Sequence, residues 1–323
     1  MRPAIMGFVV IGLMANGPAH ARTLRLADIN DAKLNEATSR PAQPVLLKAQ
    51  VLLDRAGFSP GPIDGRTGDN FLNALRSFQK RNGIKESRSL DQATWSKLLG
   101  TSGDPAMIEY TIKPLDVKGP FAAEIPASYE KKAELKRLDY TSATEMLAER
   151  FHMDEQTLED LNPAKDFDKD GTVVLVANVN RPAGKAQVSK IEVDKNGSVV
   201  RAFDKAGLLV ASYPASIGSE EKPAPSGTLK VTRVARAPTY TYDPKFGFKG
   251  VTANEKLRIA PGPNNPVGAV WIGLSEKTYG IHGTAEPSKV GKIASHGCVR
   301  MTNWDALALA AMVRRGTVVT FLD

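Results

Sequence analysis

The stretch Ile191-Glu192-Val193-Asp194-Lys195-Asn196-Gly197-Ser198-Val199-Val200 separates two kinds of chain. Ile191 and Val193 alternate with polar residues at the two-residue period of a half-buried strand. Asn196-Gly197 is the strongest short hairpin signal, and Val199 resumes the extended pattern. A hairpin here predicts a β-rich C-terminal part. Further strand-like runs follow at 208–213, 228–234, 269–274, 279–282 and 317–322. One helix is expected among them. Trp304, Leu307, Ala308, Ala311 and Met312 share a face, Asn303 is placed to cap its start, Arg314 and Arg315 complement its C-terminal dipole, and Gly316 ends it. The expectation for 187–323 is a mainly β, sandwich-like domain with one packed helix.

Toward the N-terminus the pattern turns helical. Arg181-Pro182-Ala183-Gly184-Lys185 marks a boundary. Before it, 110–178 predicts a small α/β linker unit: Tyr110-Thr111-Ile112 as a first strand, a helix from Ser142 to Phe151 with Met146, Leu147 and Phe151 inward, then Leu158 and Leu161-Asn162-Pro163, and a closing run from Gly171 to Val176. His152 reads as a surface or core residue. Residues 41–100 predict three short helices. Leu46, Gln50 and Leu53 lie on a face ending at Gly57; Phe71, Leu72, Leu75, Phe78 and Gln79 repeat up to Gly83; a third helix starts at Asp91 and packs Trp95 and Leu98.

Residues 1–21 have the form of a secretory signal. Arg2 supplies the positive start, an apolar stretch runs from Ala4 to Ala15, and Ala19-His20-Ala21 offers the small-x-small cleavage pattern. No later segment approaches the ~20 apolar residues of a membrane span, so none is expected in the mature chain. The whole is predicted to be a multidomain α+β protein, since 323 residues exceed what one core holds. The formal charge of +8 suits a polyanionic neighbour such as cell wall or lipid headgroups. Lysines and arginines are scattered without interleaved aromatics, which argues against nucleic acid as a partner.

Ser295-His296-Gly297-Cys298-Val299-Arg300 carries the single cysteine. An exported chain ordinarily uses cysteines in pairs, so an unpaired one beside histidine and glycine reads as a nucleophile. A free thiol has a pKa of ~8.5 and needs a base to take its proton. Either His282 or His296 can serve: His296 is two residues away and shares a face in an extended segment, while His282 ends a strand and can reach across the sheet. Gly297 permits close substrate approach, and the Gly297 and Cys298 backbone N–H groups are candidates for an oxyanion hole. His282, His296 and Cys298 could in principle hold zinc, but no His-Glu-x-x-His pattern or carboxylate base accompanies them. No metal and no cofactor are expected. Arg300, two residues beyond Cys298, faces the same side if the segment is extended, and its planar fork suits a substrate carboxylate.

The C-terminal part resembles the L,D-transpeptidase catalytic domain of the YkuD type. It does so in Pro225-Ser226-Gly227-Thr228, Gly262-Pro263-Asn264-Asn265-Pro266-Val267-Gly268, Ile281-His282-Gly283-Thr284 and Ser295-His296-Gly297-Cys298-Val299-Arg300, four motifs in order. The resemblance implies that Cys298 is the nucleophile, His282 the base and the Gly283 carbonyl its orienting group. Ser295, His296 and Gly297 would support the site, and Tyr279, Thr284 and Arg300 would contact the donor. The implied reaction takes a tetrapeptide stem of peptidoglycan, expels the terminal D-alanine and passes the acyl group to another stem as a 3-3 cross-link in the periplasm. Water as acceptor would make the enzyme an L,D-carboxypeptidase, and a related activity would release wall-linked proteins. Carbapenems are implied as inhibitors.

Residues 41–100 resemble a three-helix peptidoglycan-binding domain, through Gly57, Gly61-Pro62-Ile63-Asp64-Gly65, Gly68, Phe78-Gln79, Gly83, Asp91 and Thr94-Trp95-Ser96-Lys97-Leu98. Residues 110–178 look like a degenerate LysM module, with about 30 residues between first strand and helix where that family has only a few. Peptidoglycan stems and glycan are the partners these resemblances imply. A wall-binding protein with a lapsed catalytic domain is the competing class, against which the intact cysteine, histidines and glycines argue.

Overall fold

The hairpin that divides the sequence also seeds the main sheet. A computed structural model describes residues 23–323 apart from 36, 39, 181–186, 247–250 and 296. The expected leader, the 181–185 boundary and His296 lie outside the described residues. In the C-terminal part, strands Lys190–Asp194 and Val199–Phe203 pair antiparallel, Asp194 opposite Val199. The loop between them is four residues long, with its positive φ at Ser198 (52°) and not at Gly197. Gly197 is there for another reason: its N–H donates to Asp194 Oδ1 at 2.7 Å, and a Cβ would lie 2.6 Å from the same carboxylate.

We label the elements in chain order. The strands are β1 (Met107–Thr111), β2 (Val173–Ala177), β3 (Lys190–Asp194), β4 (Val199–Phe203), β5 (Leu209–Pro214), β6 (Ser216–Ile217), β7 (Gly227–Arg236), β8 (Tyr240–Tyr242), β9 (Leu257–Ile259), β10 (Val270–Leu274), β11 (Gly280–His282), β12 (Val299–Arg300) and β13 (Val318–Leu322). The helices are α1 (Leu26–Asn30), α2 (Gln43–Arg55), α3 (Asp69–Arg81), α4 (Gln92–Leu99), α5 (Pro114–Lys118), α6 (Tyr129–Glu134), α7 (Ala143–Arg150), α8 (Glu155–Leu161) and α9 (Asn303–Met312).

Among the described residues the main sheet runs β5-β4-β3-β13-β7-β10-β11-β12-β6. Its two edge strands, β5 and β6, are separated in sequence only by Ala215, so the sheet curls nearly into closure. Ile191, Val193, Val200, Val231, Ile272, Ile281, Val299 and Val319 fill the inside, sealed by Ala306, Leu309 and Ala310 of α9. The helix itself departs from its sequence reading. Thr302 is the cap, its hydroxyl accepting from the Asp305 N–H at 3.2 Å, which frees Asn303 for other contacts. Ala306, Leu309 and Ala310 are buried in the core, Leu307, Ala308 and Met312 of the expected face pack against it partly buried, and Ala311 is exposed. Trp304 is buried, but against His152 of the linker unit, with rings 5.1 Å apart and 10° from parallel. A helix covered on more than one side has no single apolar stripe for the sequence to display.

The helical unit follows its sequence closely: α2, α3 and α4 surround Leu46, Leu53, Phe71, Phe78, Trp95 and Leu98, and Asp91 caps α4 through the Thr94 N–H at 2.7 Å. Its place in the molecule was not predicted. The Ser59 N–H donates to Ser212 O (2.9 Å) and the Ser212 N–H to Gly57 O (3.0 Å), so the loop after α2 bonds to β5 and covers a sheet edge that would otherwise be open. Leu209 of β5 lies in the same apolar cluster as Phe58 and Phe78.

The linker unit runs β1, α5, α6, α7, α8, β2, with β1 antiparallel to β2. Short α1, absent from the sequence reading, joins it through Ile29, and the Asn30 side-chain amide pairs with the Met107 main chain at 2.8 and 2.9 Å. His152 approaches Asp54 of α2 at 3.1 Å while stacking on Trp304, so one histidine touches all three parts of the chain. No described helix is long and apolar enough to cross a membrane.

Candidate active site

Strand register gathers the chemistry. In β10–β11 Trp271 lies opposite His282, and in the parallel pair β11–β12 His282 lies opposite Arg300. Opposed residues point to the same face of a sheet, as do residues two apart in an extended segment, so Cys298 joins Arg300, His282 and Trp271 on one side. Ile272, Ile281 and Val299, the alternate residues, turn into the core. Above the shared face is a cavity of about 880 Å³, whose lining includes Cys298, His282, Arg300, Trp271, Tyr279 and Ser295.

The imidazole of His282 is 5% exposed, and its Nδ1 lies 2.6 Å from the Gly283 carbonyl. A carbonyl can only accept, so Nδ1 carries the hydrogen and Nε2 keeps its lone pair. Burial draws the His282 pKa down to about 4; Arg300 adds to this, and the Gly283 hydrogen bond opposes it. The ring is therefore neutral near pH 7 and able to accept a proton. Trp271 stacks on it at 5.5 Å and 15°. Gly280 makes room for that indole, since a Cβ there would fall 2.4 Å from Trp271 Cζ2.

Cys298 is half-buried, with Sγ 3.7 Å from the Thr278 carbonyl. Burial pushes its pKa up, against a hydrogen bond with the Gly280 backbone and the charge of Arg300. Both shifts favour the neutral form, thiol at Cys298 and imidazole at His282. The Ser295 hydroxyl accepts from the Gly218 N–H at 2.7 Å and donates to the Cys298 carbonyl, pinning the cysteine's loop to the end of β6. Gly297 has φ +99°, and a Cβ there would lie 3.1 Å from the Tyr279 ring. Among the described residues, Arg300 Nε is a buried donor with no acceptor.

Thr284 is buried, and its hydroxyl accepts from the Glu286 N–H at 3.2 Å in a local turn. His296 lies outside the described residues. Sequence reasoning missed Trp271, whose position opposite His282 follows only from register. It also missed Asn303, whose Oδ1 accepts from the Ala269 N–H at 2.9 Å and whose amide donates to Glu149 of α7 at 3.0 and 3.1 Å. Atoms added at Gly268 or Gly283 would meet Asn303 Oδ1 at 2.2 and 2.1 Å, so this side chain is pressed against the peptide that orients His282. Tyr240 and Tyr129, both on the cavity wall, had no periodic signal to reveal them.

Residues 189–320 match the L,D-transpeptidase catalytic domain family YkuD, and residues 43–98 match a peptidoglycan-binding domain. A Bacillus licheniformis protein named as the L,D-transpeptidase YkuD is 31% identical over 178 residues, covering 54% of this chain and 91% of that protein. The probable L,D-transpeptidase YbiS of Escherichia coli K12 is 32% identical over 197 residues, covering 57% of this chain and 61% of its own. The chain belongs to the L,D-transpeptidase family and carries a helical peptidoglycan-binding domain ahead of its catalytic domain.

Proposed function

We propose that the protein is an exported cysteine L,D-transpeptidase that joins peptidoglycan stems by 3-3 cross-links in the periplasm. The observation that carries this reading is the placement of thiol, neutral imidazole and guanidinium on one sheet face beneath a single cavity. His282 Nε2 takes the thiol proton as Cys298 Sγ attacks the carbonyl carbon of the stem's third residue. A C–S bond forms, the C–N bond to D-alanine breaks, and the proton passes from His282 to the leaving amine. The acceptor stem's amine then attacks the thioester, gives its proton to His282, and the thiol is restored. One amide is exchanged for another, so no nucleotide is needed. Backbone N–H groups at Gly297 and Cys298 are the candidates for holding the oxyanion. The place of Arg300 on the cavity lining beside Cys298 supports a carboxylate-binding role for its guanidinium, and the peptidoglycan-binding domain supports wall contact.

The test is mass spectrometry of products from a defined tetrapeptide muropeptide. Wild type is expected to form cross-linked dimer and free D-alanine, and Cys298→Ala neither. A carbapenem should add one covalent adduct to wild type and none to Cys298→Ala. Cross-links made by the alanine variant would refute the assignment, and D-alanine release without dimer would assign the enzyme to hydrolysis.

A further inference from the structure

The long spacer that separates β1 from α7 does not loop into solvent. It runs across to the catalytic domain and sits in a prepared seat. The Leu138 N–H donates to the Pro261 carbonyl at 3.0 Å, and the Asn264 N–H donates to the Leu138 carbonyl at 3.0 Å. Asn264 Nδ2 donates to the Asp139 carbonyl at 3.0 Å and to Glu145 Oε1 at 2.8 Å. Leu138 is fully buried. A Cβ at Gly262 would stand 2.0 Å from the Leu138 carbonyl, so the close approach of the two main chains requires glycine at that position. Part of the Gly262-Pro263-Asn264-Asn265 motif is therefore occupied in receiving this crossing segment.

From that seat α6 delivers Tyr129 to the cavity wall that also holds Cys298, His282 and Arg300. The Tyr129 ring packs edge-on against Tyr240 at 5.9 Å and Tyr242 at 5.7 Å, and the Lys132 ammonium lies over it, 5.5 Å from its centre. Tyr129 stands close enough to Arg300 for the guanidinium charge to act on its phenol. A ring with three such neighbours is held in place, at little further entropic cost when substrate arrives.

The geometry points to Tyr129 as a donor-positioning residue: supplied to the catalytic cavity by the linker unit, its hydroxyl hydrogen-bonds to the anionic end of the acyl-donor peptide that Arg300 pairs with. The inference rests on the transpeptidase reading above and adds a second, separately encoded half to the donor site.

Steady-state turnover of a synthetic tetrapeptide stem by the full chain tests it, alongside the rate at which iodoacetamide alkylates Cys298. Tyr129→Phe keeps the ring packing and removes only the hydroxyl. It should raise KM about tenfold, the usual worth of a hydrogen bond to a charged group, with the larger part of the loss in KM and alkylation unchanged. Amidating the donor carboxylates should bring wild type and Tyr129→Phe to the same KM. Gly262→Ala, which displaces the seat without entering the cavity, should raise KM in the same direction. The inference is overturned if Tyr129→Phe matches wild type, or if alkylation falls in step with turnover, which marks a structural role. Absence of any Cys298-dependent turnover in wild type sinks the transpeptidase reading, and this inference with it.

Discussion

The helical unit and the linker unit both lie against the catalytic sheet, and they meet it in opposite ways. The helical unit brings apolar side chains and main-chain bonds to β5, an edge of the sheet far in strand order from Cys298, and adds side-chain bonds from Ser59 to Asp305 and from Asn70 to the Val290 carbonyl, none of them to a residue of the cavity wall. The linker unit brings polar side chains and an aromatic wall: Glu149 to Asn303, and Tyr129 to the cavity. One contact covers an edge and the other completes a site. Two units that look in sequence like beads on a string therefore differ in what their loss should do.

A residue of the cavity floor sets the upper scale. His282→Ala should lower Cys298 acylation by roughly 10² to 10⁴, the usual worth of a general base. Because the folded His282 pKa lies near 4, wild-type acylation should stay near its plateau from pH 7 down to about 5 and drop through pH 4. A limb at pH 6–7 would mean that the ring is solvated and the buried reading is wrong. Stopped-flow acylation across pH in wild type and variant gives both answers.

The edge cover should cost stability and leave chemistry alone. Phe58 is 3% exposed and packs edge-on against Phe78 at 5.6 Å. Phe58→Ala is expected to destabilise the chain by about 3–5 kcal/mol, with kcat/KM per folded molecule unchanged. Denaturation monitored by circular dichroism, with active-site titration to count folded enzyme, separates the two. A fall in kcat/KM per active site would erase the contrast between the units.

The effect expected at the linker contact differs in kind, because it depends on pH. Burial raises the Glu149 pKa to about 8, aided by Glu145 and opposed by hydrogen bonds from Asn303 and Tyr140. A folded pKa above the unfolded one means that wild type loses stability as pH rises from about 4.5 through 8. Glu149→Gln has no such titration. The variant should come nearest to wild type below pH 5 and exceed it at pH 9 by up to about 5 kcal/mol. A difference in Tm that does not change with pH would show that the carboxyl is ionised throughout.

Much of this was legible in the chain. The helices at 43–55, 69–81 and 92–99 follow from apolar spacing, glycine stops and the Asp91 cap, because those signals act within a few residues. The larger strands of the main sheet follow from alternation, and Cys298, His282 and Arg300 stand out by residue type and order. Two-residue strands such as β6 and β12 carry no period, and α9 hid its core face because Trp304 is buried on another side.

The sequence by itself determined the local elements, the family and the reacting groups, since each depends on residues close together or on a motif. Tertiary structure alone decided that His282, Cys298 and Arg300 share a face, because strand register, not spacing, places residues from separate strands side by side. It alone decided that Trp271 braces the imidazole and that Tyr129, more than a hundred residues before the cysteine, reaches the same cavity. Glycine at 262 and asparagine at 264 make that approach possible through main-chain proximity, which leaves no periodic trace in the chain.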